Sequence, residues 1–85
     1  PAASLRVQYV YGIHAVDSLL RRNPESVQRL ILQAERNDKR ITNLLELARN
    51  QGVAVAREPR AGLDKLVDDR HQGAVAQLRG DALYA

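Results

Sequence analysis

The sequence predicts an α/β domain in which helices pack on a single sheet. Strand-length apolar runs alternate with helical stripes in the order β-α-β-α-β-α-β, and the connections between them are short. The third observation is length, because 85 residues make one domain with one core. A chain of this size hides roughly 60–65% of the surface that its unfolded form exposes. Little material is left for a core and a catalytic cleft together.

Each element has a local reason. Val7-Gln8-Tyr9-Val10-Tyr11 alternates, with β-branched and aromatic residues on one parity, and predicts a short strand that Gly12 breaks. From Ile13, apolar residues recur at Val16, Leu19 and Leu20, a helical stripe ending near Arg22-Asn23-Pro24. Arg21 and Arg22 stand in its last turn, where the helix dipole favours cations. Arg29-Leu30-Ile31-Leu32-Gln33 is a continuous apolar run and reads as a buried strand. The polar loop Ala34 to Asp38 follows.

The strongest helical pattern comes next. Ile41, Leu44, Leu45 and Ala48 fall at i, i+3, i+4 and i+7, and the whole stripe is expected in the core. Asn37 or Asp38 is the expected N-cap, and Gly52 the left-handed stop. Val53 to Ala56 reads as another buried strand, closed by Pro59. Leu63, Leu66 and Val67 make a short third helix, and Gly73 to Leu78 the last strand.

Composition narrows the function classes. Apolar residues make up 45% and charged residues 27%, a globular balance. No apolar run approaches the ~20 residues of a membrane span, and no cysteine is present. A reduced, cytoplasmic protein without membrane contact is expected. Thirteen basic residues oppose ten acids, for a net charge of +3. Residues 1–60 hold ten bases and six acids, while residues 61–85 hold three and four. The positive charge therefore lies in the first part, and a basic domain is a candidate for phosphate contact.

Catalytic signals are poor. His14 and His71 are too few for a histidine metal cage, and no metal is expected. Asp68 and Asp69 are adjacent, so on a helix their side chains diverge by about 100°. Ser4, Ser18 and Ser26 have no histidine beside them in sequence, and Gly12 alone is no phosphate-cradling loop. No catalytic residue is assigned.

The strand-to-helix turns are richer. Open α/β sheets place ligands beyond the carboxyl ends of their strands, where helix N-termini point donors at an anion. Those turns carry Tyr11, His14, Arg36, Asn37, Lys39, Arg40, Arg57 and Arg60. A phenol, an imidazole and several guanidiniums suit unpaired bases and RNA phosphates. Read blandly, Arg36, Lys39 and Arg40 are solvated charges pairing with Glu35 and Asp38.

Three segments taken together, Tyr11-Gly12-Ile13-His14-Ala15-Val16, Asn37-Asp38-Lys39-Arg40 and His71-Gln72-Gly73, carry a family resemblance. The chain resembles the N-terminal substrate-binding domain of SpoU (TrmH-type) RNA 2′-O-methyltransferases, most of all those that methylate a guanosine of bacterial 23S ribosomal RNA. The likeness runs from about Tyr9 to Leu78. It implies a small α/β/α sandwich with a mixed, mostly parallel four-stranded sheet, similar to kink-turn-binding ribosomal proteins, whose final strand runs antiparallel to its neighbours. It also implies an RNA-binding unit over residues 9–79, an N-terminal extension over 1–8, and a linker starting at 80–85.

By the same resemblance, catalysis, S-adenosylmethionine and homodimerisation belong to a separate domain, with no cofactor held here. RNA-facing positions carried over from the motifs are Tyr11, Gly12, His14, Asn37, Lys39, Arg40, His71 and Gln72, to which the basic loop adds Arg36. A stand-alone kink-turn binder is the alternative, and a module docking an acidic protein is a third. Kink-turn binders of this fold carry a Gly-x-Asn-Glu-x-x-Lys type motif. Here His14 replaces the asparagine, Ala15 the glutamate and Ser18 the lysine.

Overall fold

A computed structural model describes residues 8–67 and 70–79. In chain order the elements are β1 (Tyr9–Tyr11), α1 (Ile13–Arg22), a 3-10 turn (Pro24–Ser26), β2 (Val27–Gln33), α2 (Lys39–Asn50), β3 (Ala54–Glu58), α3 (Arg60–Leu66) and β4 (Ala74–Leu78). The strands form one sheet in the order β1-β4-β2-β3. β1, β2 and β3 run in the same direction and β4 runs against them. The final strand is therefore antiparallel, as the family likeness implied. Because it lies in the middle, two of the three adjacent pairs are antiparallel and only β2–β3 is parallel.

Two apolar clusters make the sandwich. On one face Val16 and Leu20 of α1 and Ile41, Leu44 and Ala48 of α2 pack over Leu30 and Leu32 of β2 and Ala74 and Ala76 of β4. On the other, Leu63 of α3 packs on Ile31 and Val75, with Tyr9, Ala56, Leu66 and Val67 around it. The period of two along a strand sends Leu30 and Leu32 to one face and Ile31 to the other. That is why the run Leu30-Ile31-Leu32 is apolar throughout and wholly buried. Ala74 and Ala76 of β4 are fully buried in the first of these clusters.

Three local expectations are corrected. Leu45 is only half-buried, because it lies at the margin of the stripe, beside β3. Residues 54–56 are not a buried strand: Ala54 is exposed, because β3 is an edge with a neighbour on one side only. The first strand begins at Tyr9, with Gln8 outside it, and Val7 lies outside the described residues, as do Asp68, Asp69, most of the 1–8 extension and the 80–85 linker. Gly52 follows α2 with a positive φ of 74°, as expected of its stop.

Candidate nucleic-acid interface

The shared direction of β1, β2 and β3 brings their carboxyl ends to one edge of the sheet. The turn entering β4 arrives at that edge from the opposite direction. It spans His71 to Ala74, closed by the Ala74 N–H donating to the His71 carbonyl at 2.9 Å. Gln72 and Gly73 have φ of 55° and 81°, and two successive positive values are the pattern of a type I′ turn.

This turn ties the edge together. The Gly12 N–H donates to the Ala74 carbonyl (3.1 Å), and the Gln33 N–H to the Gly73 carbonyl (2.9 Å). Gln72 Oε1 accepts the N–H of Ile13, the first residue of α1, at 2.9 Å. The Gln72 carbonyl accepts a short hydrogen bond from Arg36 Nη1. Gly73 packs so closely on Arg36 and Gln33 that a Cβ would stand 3.0 Å from Arg36 Cδ. With its positive φ, that contact makes glycine the fitting residue there.

His71 is the one buried polar or charged side chain among the described residues, 5% exposed. The Gly73 N–H donates to its Nδ1 (3.0 Å), so the ring proton sits on Nε2 and is donated to Asp64 Oδ1 (2.7 Å). The imidazole thus locks the turn to α3 and offers nothing outward. Its role in the geometry is positioning.

Arg36 is also engaged. Its Nε and Nη2 hold both oxygens of Asp38 at 3.0 and 2.9 Å. Asp38 sits at the N-cap position of α2, as expected, but its carboxylate turns to Arg36 and makes no cap. Its carbonyl accepts instead from the Thr42 N–H and hydroxyl. The Arg36 hydrogen bond is the main cause holding the Asp38 carboxyl below its ordinary value of 3.8, helped by the backbone amides of Asp38 and Arg40 and opposed by desolvation. Among the described residues Glu35 does not pair with a lysine or arginine side chain; its Oε1 accepts the backbone N–H of Arg60 at 3.0 Å. Arg57 Nη2 donates to the Arg36 carbonyl at 2.9 Å.

What remains outward is a smaller set. Lys39 and Arg40 open α2, are exposed, and form no ion pair among the described residues. His14 in the first turn of α1 and Asn37 just before α2 are also exposed, and Tyr11 is 37% exposed at the end of β1. Gly12, with φ 95° and ψ 145°, sets the turn between β1 and α1. A cleft of about 620 Å³ opens between α3 and the β4 turn, with Gln33, Arg60, Asp64 and Arg70 in its wall. Sequence reasoning assigned no site role to Gln33, Asp64 or Arg70. Only the antiparallel return of β4 brings them together, and no local pattern reports that.

Among the described residues no group of three or more metal-ligating side chains occurs, and no helix is long and apolar enough to cross a membrane. The sequence pattern of the family described as RNA 2′-O ribose methyltransferase substrate binding matches residues 9–82. The chain belongs to that family. It is 42% identical over 73 residues to the 23S rRNA (guanosine-2′-O-)-methyltransferase RlmB of Acinetobacter baylyi, covering 85% of this chain and 29% of the relative. It is 37% identical over 78 residues to the enzyme of the same name from Escherichia coli, covering 91% of this chain and 32% of that one. Against that of Pseudomonas syringae pv. tomato it is 37% identical over 73 residues, covering 86% and 29%. The chain thus spans about a third or less of the length of these relatives.

Proposed function

We propose that this substrate-binding domain recognises ribosomal RNA for a 23S rRNA guanosine 2′-O-methyltransferase and does not itself transfer the methyl group. The supporting observation is the carboxyl-end edge, where His14, Asn37, Lys39 and Arg40 stand outward on a frame locked by the β4 turn. Two cations at the start of a 12-residue helix add to its positive end, a combination that favours phosphate. Tyr11 and Gln72 border the same edge, with Gly12, Arg36 and His71 holding it in shape.

S-adenosylmethionine needs an apolar slot for its adenine and methionine chain. The cleft beside α3 is walled by arginines, amides and a carboxylate and does not fit it. The methyl donor, the catalytic groups and homodimerisation are assigned to another part of the full-length enzyme, acting in the cytoplasm. Residues 9–79 are the RNA-binding unit, with 1–8 an extension and 80–85 the linker.

The test is binding to a 23S rRNA segment across a salt series. Each phosphate contact contributes about 0.7–0.9 to the slope of log affinity against log salt. Lys39→Ala with Arg40→Ala is expected to weaken binding and lower that slope by about one to two units. His14→Ala is expected to weaken binding with little change in slope, since an imidazole that stacks or hydrogen-bonds releases no counterion. Unchanged affinity and slope in the double variant, with melting intact, would remove this edge from the RNA.

A further inference from the structure

We propose that the cleft between α3 and the β4 turn takes one unstacked guanine nucleotide of single-stranded RNA, with Asp64 reading the base. The inference rests on the RNA-binding reading above and adds a second contact on the opposite side of the turn from Lys39 and Arg40.

Asp64 is an acceptor held in place. Its Oδ1 accepts a hydrogen bond from Nε2–H of buried His71 at 2.7 Å, and His71 is fixed in turn by the Gly73 N–H. Arg60 Nε stands 4.0 Å from Oδ2, too far for a hydrogen bond, so Oδ2 faces the cleft without a donor among the described residues. The side chain is 56% exposed, and a carboxylate retains lone pairs on both oxygens. A ligand that docks against it must therefore bring hydrogen-bond donors.

The surrounding charge decides which donor. Arg60 and Arg70 line the same cleft, beside an Arg36 already neutralised by Asp38, and disfavour an ammonium or other cation. A nucleotide joins a neutral donor edge to an anionic phosphate and suits both features at once. Among the bases, guanine alone presents two adjacent donors, N1–H and the 2-amino group, on its Watson–Crick edge. Adenine and cytosine place a ring acceptor beside their amino group, and uracil flanks its N–H with carbonyls. Single-stranded bases are read on that edge. The Arg60 guanidinium, 73% exposed, forms only a long 4.0 Å ion pair with Asp64 Oδ2 and keeps N–H donors that can meet phosphate or the acceptors of the base. A volume of about 620 Å³ has room for one nucleotide.

The test compares binding of the 85-residue chain to hexauridylate and to the same oligonucleotide carrying one guanosine. The guanosine is expected to tighten binding about tenfold, the lower part of the range for a bidentate base contact. Inosine at that position, which lacks the 2-amino donor, should lose most of the gain. Asp64→Asn keeps an oxygen for His71 but turns the other acceptor into a donor, so the preference should fall within about twofold at an unchanged melting temperature. Should that variant fail to fold, the inosine comparison on the unaltered chain still decides.

Equal affinity for uridine and guanosine oligonucleotides, with salt-dependent binding of the rRNA segment intact, would overturn the guanine cleft alone. A tenfold preference surviving in folded Asp64→Asn would do the same. No affinity for any RNA would overturn the RNA reading and this one with it. GMP binding as tightly as the guanosine oligonucleotide would keep the base and assign the source to a free nucleotide.

Discussion

The side chain of Gln72 caps the backbone N–H of Ile13 at 2.9 Å, across 59 positions of sequence. Gly12 occupies the N-cap position of α1 and has no side chain with which to do so. One of the orphan donors at the start of the helix is satisfied instead by the turn that enters the central strand. The first motif and the last are therefore one structural unit, and their wide separation in sequence hides it.

Gln72→Ala removes that cap and should destabilise the domain by about 0.5–2 kcal/mol, the usual cost of losing an N-cap oxygen. Gly12→Ala should cost about 1–3 kcal/mol, since φ 95° with ψ 145° is open to glycine and strained for alanine. Urea denaturation measures both. Wild-type stability in Gln72→Ala would mean that water serves the Ile13 amide equally well.

His71→Ala should cost about 1–3 kcal/mol, because it leaves the Gly73 N–H without its acceptor beside a buried turn. His71→Asn should recover part of the loss. An asparagine oxygen can accept from the amide two residues on, although it gives up the reach to Asp64. If His71 touched RNA instead, the asparagine variant would restore stability and leave binding impaired. Melting curves and affinities on the same samples separate the two roles.

Much of the fold was legible because its signals are local. The stripe Ile41, Leu44 and Ala48, the run Leu30 to Leu32 and the stop at Gly52 each follow from the period of one element. The order of strands was not, since nothing local distinguishes a central strand from an edge. Ala54 and Ala74 are both small and apolar, yet one is exposed at an edge and the other wholly buried. The site divides the same way. Lys39 and Arg40 are free cations among the described residues, as a basic loop suggests, whereas Arg36 in the same loop is bound to Asp38 and Gln72. That difference depends on a turn 36 residues away.

The burial of α2 gives a graded test of packing. Leu44 is 1% exposed and Leu45 only half-buried, although both belong to one apolar stripe. Leu44→Ala should cost about 2–5 kcal/mol, the range for truncating a buried leucine. Leu45→Ala should cost clearly less, about 1–2 kcal/mol, in proportion to the smaller area it hides. Equal losses from equilibrium unfolding would place Leu45 in the core after all.

Asp38 and Arg36 predict where acid acts on the basic loop. The guanidinium holds both carboxylate oxygens, and this hydrogen bonding is the main cause that lowers the Asp38 pKa below 3.8. A carboxyl whose pKa is depressed by folding contributes stability above its unfolded value and loses it as pH falls through the folded one. The contribution is therefore complete near neutrality and disappears only below about pH 4. Carboxyl-carbon NMR should show Asp38 titrating below its ordinary value in the native chain. In Arg36→Ala the midpoint should rise toward 3.8, with the Asp38 and Arg40 amides retaining a smaller part of the shift. Arg36→Lys should fall between, because one ammonium cannot match the two-point grip of a guanidinium. An Asp38 midpoint that does not move in Arg36→Ala would show that the backbone amides alone set it and that the Arg36 pair contributes nothing to the shift.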